Sequence, residues 1–331
     1  MVNIIFKNVG QGDSIIIEWK EGLNNKIGII DCNQVTSTLN PVLQHVIKSK
    51  TKEIEFLFLS HPHKDHYSGF MELIEYCLSN QINIKRFIHT ANVSIDYLMA
   101  ASRSIIEKKE LSKLYELLMD MRDRGLIELH TVDDNPDTVK NLSEGFKLAF
   151  LAPSSQEIDK YIRGVAFPFD EEDSTSNPNA NWLCSIIKIY NDNTSIILSS
   201  DVESQVLKRL NKKNGRLKEQ KSILVQVPHH GAKKNMNKSF WSGLRKYPET
   251  YAVISVGKNG YKHPSKEVIE FFTNHPNYIL ERTDLNAQTS QLAMANSAKL
   301  NIISKKVAIS PTNQINNDLS YQVSDENCIK I

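Results

Sequence analysis

Residues 54–66 read IEFLFLSHPHKDH. The run from Ile54 to Leu59 is rich in aliphatic and aromatic residues, which predicts a short buried strand. Directly after it, three histidines and one aspartate fall within six positions, as His61, His63, Asp65 and His66. Side chains with this alternate spacing face two neighbouring cations from a single rigid loop. The stretch predicts a metal site at a strand end, and a solvated His-rich turn is the alternative.

The flanking segments predict further strands and helices. Two short β-rich runs, at 2–9 and 14–19, are separated by the turn formers GQGD, which predicts a hairpin. A third run, at 27–31, ends in Asp31. Residues 95–124 contain Leu, Met, Lys and Glu and are free of Gly and Pro, which predicts a helical insertion.

Three later strands each deliver polar residues at their ends. The hairpin of 183–190 and 195–200 leads to Asp201, and the run at 223–227 leads to PHHGAKKN. The strand at 251–256 precedes the loop GKNGYKHP, which contains His263. Without internal repeats or Gly/Ser linkers, one domain over 1–290 is favoured, with a C-terminal extension over 291–331 that packs on it.

Composition narrows the class of protein. The chain has 331 residues, with 40 Lys and Arg against 38 Asp and Glu, a formal net charge of +2 and four cysteines without a CxxC pair. The mean hydropathy is −0.37. These values indicate an ordinary globular protein, exclude a generally basic nucleic-acid-binding surface, and predict no membrane span. The N-terminal residues lack a signal-peptide pattern, so we expect the cytoplasm.

The motifs together resemble those of a known superfamily. HxHxDH after a strand is the signature of metallo-β-lactamase fold proteins. VGQGDS at 9–14, IIDC at 29–32, VPHHGAK at 227–233 and SVGKNGYKHP at 255–264 make the chain similar to the metallo-β-lactamase domain of ComEC-type DNA-uptake proteins. The resemblance covers most of residues 2–285 and implies an α/β fold, an αββα sandwich.

The resemblance also implies a ligand set for two divalent metal ions, Zn²⁺ or Mn²⁺. His61 and His63 hold one ion, Asp65 and His66 hold the other, and Asp201 bridges both. A histidine of the pair His229 and His230, together with His263, completes the set. Within the pair, His229 is favoured as the ligand, and His230 is left as a proton donor or substrate contact.

Other residues receive supporting roles. Asp31 is expected to support a ligand histidine rather than bind metal, and His89 and His130 are expected to be satisfied strand histidines. Asp13 is either a turn carboxylate or a hydrogen-bond partner of the metal loop. Lys233 is the favoured positive charge for the leaving oxygen, and a solvated surface lysine is the alternative.

These features predict a dinuclear metal-dependent phosphodiesterase or nuclease, in which a metal-bridging hydroxide attacks DNA or RNA, with Asp65, His230 and Lys233 as catalytic residues. One alternative is a hydrolase of a small ester, of the phosphorylcholine or cyclic nucleotide type. Another is a non-catalytic metal-stabilised subunit of a DNA-uptake or defence complex. A basic rim of Lys208 to Lys221, Lys233, Lys234 and Lys238 is the expected nucleic-acid contact, and a solvated helix face is the competing interpretation.

Overall fold

The computed structural model describes residues 1–36, 38–91, 93–143, 145–165, 178–212, 217–285, 318–325 and 327–331. The strands are β1 (Val2–Phe6), β2 (Ile15–Glu21), β3 (Asn24–Ile30), β4 (Glu53–Ile54), β5 (Phe56–Leu59), β6 (Asn83–Ile84), β7 (Arg86–Thr90), β8 (Glu128–Val132), β9 (Lys140–Ser143), β10 (Phe146–Ala152), β11 (Ile186–Tyr190), β12 (Thr194–Leu198), β13 (Lys221–Gln226), β14 (Lys246–Ile254), β15 (Tyr278–Arg282), β16 (Leu319–Val323) and β17 (Cys328–Lys330). The helices are α1 (Pro41–Ser49), α2 (Lys64–Tyr67), α3 (Phe70–Ser79), α4 (Ile95–Met99), α5 (Ile105–Asp123), α6 (Ser155–Arg163), α7 (Ser204–Lys212), α8 (Lys238–Gly243) and α9 (Lys266–Asn274).

The strands form two large mixed sheets. The first has the order β17-β16-β1-β2-β3-β5-β7-β8, and the second has the order β15-β14-β13-β12-β11-β10-β9. Strands β3, β5, β7 and β8 run parallel, as do β12 to β15. Because parallel strands end at the same edge of a sheet, the loops after β3, β5, β12, β13 and β14 bring their polar residues to one side of the molecule.

The side chains of β5 show why the two sheets stack. Phe56 and Phe58 point into the core between the sheets, whereas Leu57 and Leu59 point to the layer of helices. Successive residues of a strand face opposite sides, so an uninterrupted apolar run is buried on both faces. The strand that leads to the histidine cluster is therefore packed against apolar side chains on both of its faces.

Helices cover the outer face of each sheet. Buried residues of α1, α3 and α5 pack on the first sheet, and those of α7, α8 and α9 pack on the second. A separate apolar core lies between the sheets. Four layers in the order helix, sheet, sheet, helix confirm the αββα sandwich. The expected helical insertion is α4 and α5, between β7 and β8, and Ser104 caps α5 by accepting a hydrogen bond from the backbone N–H of Glu107.

The end of the chain adds to the first sheet. Strand β16 pairs antiparallel with β1, with Val2 opposite Val323, and Lys7 forms an ion pair with Asp318. Residues 291–317 of the predicted extension lie outside the described residues, and the domain boundary at 290 stays a prediction. None of the described helices combines the length and the apolar character that a membrane crossing requires.

Candidate metal centre

The loop after β5 carries the histidine cluster, and its three histidines are buried. His61 and His66 are 0% exposed, and His63 is 8% exposed. Nε2 of His61 lies 2.9 Å from Nδ1 of His63, and the rings of His61 and His66 are 4.2 Å apart. A solvated turn would expose its imidazoles to water, so the burial excludes that alternative.

Four residues from three loops form the first group of potential ligands: Asp65, His66, Asp201 and His230. Nε2 of His230 lies 3.5 Å from Oδ2 of Asp65 and 3.6 Å from Oδ1 of Asp201. Nε2 of His66 lies 3.7 Å from the same Asp201 oxygen. Two atoms that each bind a zinc ion at about 2.1 Å in tetrahedral geometry lie roughly 3.4 Å apart. The separations therefore match those of atoms that bind a common cation.

The second group consists of His61, His63 and Asp201. Asp201 belongs to both groups and is 2% exposed. A carboxylate that offers one oxygen to each of two cations supplies the shared negative charge that such a pair needs. The described residues thus contain two adjoining sets of donors that meet at Asp201.

The buried polar atoms of the first group test whether a cation fits. Nε2 of His66, Nε2 of His230 and Oδ1 of Asp201 are buried, and none forms a hydrogen bond with a residue that the structure describes. A buried polar atom without a partner costs about 1–3 kcal/mol. A divalent cation would satisfy all three atoms at once, and nitrogen and oxygen donors without thiolate suit Zn²⁺ or Mn²⁺.

Hydrogen bonds on the far side of each ring orient the two central histidines. Nδ1 of His66 lies 2.7 Å from Oδ2 of Asp31, and Nδ1 of His230 donates to the carbonyl of Ser255 at 2.9 Å. Asp31 also accepts from the backbone N–H and the hydroxyl of Ser60. Both rings are thereby turned with Nε2 toward Asp201. The bond to His66 suits the supporting role expected of Asp31, which also belongs, with Asp13 and His66, to a third group of potential ligands.

The backbone at these loops adopts a conformation that L-residues rarely take. Asp31, Ser200, His229 and His230 have φ values of 56°, 45°, 50° and 53°. Each left-handed residue costs on the order of 1–2 kcal/mol. Sharp left-handed turns directly after strands re-aim the side chains across the strand ends, which is how three separate loops reach one point.

Gln226, which lies outside the sequence motifs, connects two of the loops. The Nε2 atom of Gln226 donates to Oδ2 of Asp13 at 2.8 Å, and its Oε1 accepts from the backbone N–H groups of Ser199 and Ser200. Gln226 is 2% exposed. A glutamine at the end of a buried strand such as β13 requires hydrogen-bond partners for both the oxygen and the nitrogen of its amide. This requirement was the sequence signal that could have identified Gln226 as a connecting residue.

The charges of the centre are strongly coupled. Burial lowers the pKa of His230, but Asp201 and Asp65 outweigh this effect and raise it to about 9. Burial opposes ionisation of Asp201 as well, yet His229 and His230 hold its pKa well below the ordinary value. Burial raises the pKa of Asp13 to about 6, against the opposing effect of His230. The carboxylates therefore need positive charge beside them.

The two adjacent histidines have different contacts in the structure, and their assigned roles stay predictions. His230, expected as a proton donor, lies within the first ligand group, whereas His229 does not belong to either described group. Nε2 of His229 lies 3.6 Å from Oδ2 of Asp201, and its Nδ1 contacts the side-chain amide of Asn181 at 3.0 Å. His263 also lies outside these groups, with its ring 5.8 Å from that of His229.

The lysine expected to assist the leaving group lies elsewhere. Nζ of Lys233 pairs with Oε1 of Glu267 at 2.5 Å, and the Lys233 side chain is 70% exposed. It does not line the cavity at the metal centre, whereas Lys234 does. The structure thus places Lys233 outside the lining of that cavity, and its catalytic role stays a prediction.

A cavity of about 750 Å³ opens above the two ligand groups. Its wall includes residues of both sheets' loops and of the helical insertion, and its polar lining includes Gln11, Asn33, Arg103, Glu107, Asn179, Asn181, Lys234, Tyr261 and His263. Arg103 precedes α5 and, through its positive charge, contributes after burial to a pKa of about 4 for His63. The insertion thus forms part of the cavity.

No family model matches the chain, and a search of the curated proteins finds no match. Solved structures of similar shape include the metallo-β-lactamase fold protein YhfI from Bacillus subtilis, with 10% identity over 85% of this chain and 96% of that chain and a TM-score of 0.46. Zn²⁺-bound PqqB from Methylobacterium extorquens has 8% identity over 86% of this chain and 99% of its own, with a TM-score of 0.47. A diphosphatase from the PhnP family has 12% identity, coverages of 85% and 95%, and a TM-score of 0.43. At this similarity the ligand groups rest on the geometry of this chain alone.

Proposed function

We propose that this protein is a dinuclear metal-dependent hydrolase of phosphodiesters, with nucleic acid as the substrate class. The observation that carries the proposal is the position of Asp201, which belongs both to the group with Asp65, His66 and His230 and to the group with His61 and His63. Paired cations lower the pKa of a water molecule and stabilise the charge on phosphoryl oxygens during in-line displacement.

The chain's own residues have distinct parts in this proposal. Asp201 would hold both ions, and Asp31 and the Ser255 carbonyl keep Nε2 of His66 and His230 turned toward Asp201. Lys234 and Arg103 line the cavity and offer positive charge to a phosphate. His229 lines the cavity with its Nε2 atom 3.6 Å from Oδ2 of Asp201, and we assign it the contact with the leaving oxygen.

Metal content and hydrolysis test the proposal together. The purified protein is treated with chelator, reloaded with Zn²⁺ or Mn²⁺, and assayed by mass spectrometry for bound metal and with bis(p-nitrophenyl) phosphate and DNA for cleavage. We expect two ions per chain and metal-dependent hydrolysis. Asp201→Asn is expected to lose at least one ion and about 100-fold or more in kcat. Asp123→Asn, the same change at the exposed end of α5, is the matched control.

The assay also separates the alternatives. Hydrolysis of the small diester without cleavage of any DNA or RNA would favour a small-ester hydrolase. Two bound ions with no hydrolysis of any substrate would favour a non-catalytic subunit of a defence or uptake complex. Binding of less than one ion per chain would contradict the metal centre itself.

A further inference from the structure

A second depression, named here the basic pocket, lies beside the metal centre between α6 and α7. It has a volume of about 590 Å³ and is lined by Gln156, Glu157, Lys160, Trp182, Gln205, Lys208, Arg209 and Lys212. Nζ of Lys160 lies 4.1 Å from the centre of the Trp182 ring and 3.2 Å from Oε1 of Gln205. These contacts hold one lysine of the basic pocket against an aromatic face.

The charge of the basic pocket is positive after internal pairing. Arg209 is neutralised by Glu157, with two contacts of 2.6 and 2.8 Å, and also contacts Asp134 at 3.1 Å. Among the described residues, no ion pair is found for the ammonium groups of Lys160, Lys208 and Lys212. Three positive charges therefore converge on one pocket of a chain whose formal net charge is +2.

The basic pocket adjoins the cavity of the metal centre. The short 3₁₀ turn Ala180–Leu183 borders both of them, since Asn181 lines the cavity of the metal centre and contacts His229 at 3.0 Å, and Trp182 lines the basic pocket. Helix α7 begins at Ser204, three residues after Asp201. At a rise of 1.5 Å per residue, Lys208 and Lys212 lie about 6 and 12 Å further along that helix.

We propose that the basic pocket binds the phosphates of a polynucleotide strand whose scissile bond lies at the metal centre. This inference rests on the proposed function and narrows its substrate to a chain of phosphodiesters. Successive phosphates of one strand lie about 3.4 Å apart along a B-form axis. The distance of about 12 Å along α7, from its start to Lys212, therefore corresponds to roughly three or four nucleotides. A small diester reaches the metal ions but cannot reach these lysines.

Substrate length is the variable that tests the basic pocket. The ratio of kcat/KM for a single-stranded decanucleotide to that for bis(p-nitrophenyl) phosphate is measured for wild type and for the double variant Lys208→Gln, Lys212→Gln. We expect the ratio to fall about tenfold, and the slope of log affinity against log salt to decrease by roughly 1.4 units, because two phosphate contacts of a single strand are lost. The double variant Lys48→Gln, Lys52→Gln makes the same change of charge at exposed positions near the end of α1 and is expected to keep both values.

Fluorescence anisotropy of a labelled decanucleotide keeps this inference separate from the proposed function. If no substrate is hydrolysed, the proposed activity fails, yet weaker binding by the double variant would still support the basic pocket. The inference would be overturned if the double variant matched the wild type in its affinity for the decanucleotide, in the dependence of that affinity on salt, and in its preference for the longer substrate. Preferential binding of polyglutamate over the decanucleotide at the basic pocket would overturn it as well.

Discussion

Oδ2 of Asp31 lies 2.7 Å from Nδ1 of His66, while Nε2 of the same ring lies 3.7 Å from Oδ1 of Asp201. One carboxylate therefore orients the imidazole and the other faces the atom that would bind metal. The two aspartates follow strands of different sheets, so the histidine between them links the sheets at the metal centre.

Asp31→Asn is expected to weaken metal binding by about 10- to 100-fold. The asparagine still accepts a hydrogen bond from Ser60, but its NH₂ group takes the place of the oxygen that faces Nδ1 of His66. Isothermal titration calorimetry with Mn²⁺ or Zn²⁺ measures the affinity. Asp284→Asn, at a position paired with Arg282 in a different loop, is the control. Unchanged affinity in Asp31→Asn would mean that Asp31 does not orient the ligand.

Loading with metal is expected to stabilise the fold. Asp13, Asp31, Asp65 and Asp201 bring four carboxylates together, and binding a cation relieves their repulsion. At a free metal concentration one hundred times Kd, linkage contributes about 2.7 kcal/mol. For a domain of this size, we expect a rise in Tm on the order of 5 °C, measured by calorimetry with and without chelator. The same rise in Asp201→Asn would contradict the assigned centre.

Two motif loops meet at a pair of glycines, and a methyl group at one of them should be costly. A Cβ added at Gly257 would lie 2.3 Å from the Cα of Gly10. We expect Gly257→Ala to lower the free energy of unfolding by about 1–3 kcal/mol, since backbone must move. Gly260→Ala, in the same loop with nothing within 4 Å of its added Cβ, is the matched control. Urea denaturation compares the two, and equal stabilities would refute the close approach.

His89 is expected to make the chelator-treated protein less stable as the pH falls. Burial lowers its pKa to about 4, against the opposing hydrogen bond to the Thr90 carbonyl. Below the ordinary pKa of 6.5, the folded state then binds fewer protons than the unfolded state. The stability that the neutral His89 ring contributes is therefore present above pH 6.5 and is lost as the pH falls toward 4. Between about pH 7 and about pH 4.5, His89→Gln should lose about 2 kcal/mol less of its free energy of unfolding than the wild type does.

Urea denaturation across this pH range measures the effect. His130→Gln, on the neighbouring strand with a ring that is 40% exposed, is the control and should change the slope far less. If the free energy of unfolding of His89→Gln changes with pH as steeply as that of the wild type, the His89 ring is not buried in its neutral form. The structure places His89 in β7 and His130 in β8, and neither belongs to a ligand group within the described residues.

Local sequence patterns predicted those parts of the site that one loop or one hairpin builds. The apolar run before SHPHKDH indicated a buried strand, and β5 is buried on both faces. Serine is a preferred N-cap residue, and the side chain of Ser265 accepts from the backbone N–H of Val268 at the start of the helix Lys266–Asn274. Capping and alternation depend on neighbours a few residues away, so they are readable without the fold.

Other features depend on contacts between distant parts of the chain. Residues 319–323 join the first sheet through β1, more than 300 positions away, and no local pattern specifies that partner. Gln226 connects Asp13 to the backbone before Asp201, which requires three loops to be in place. Lys234 lines the cavity at the metal centre whereas the adjacent Lys233 pairs with Glu267, which no local pattern specifies.

The sequence by itself determined the donor types, the strand ends that carry them and the layered α/β class, because periodicity and residue chemistry are local properties. Only the tertiary structure gives His229 and His230 different surroundings. Both follow the same strand, and both have left-handed backbone. The hydrogen bond from Nδ1 of His230 to the Ser255 carbonyl, on the neighbouring strand's loop, turns its Nε2 toward Asp65 and Asp201. The different surroundings of two adjacent identical residues thus depend on a contact that exists only after β13 and β14 have paired.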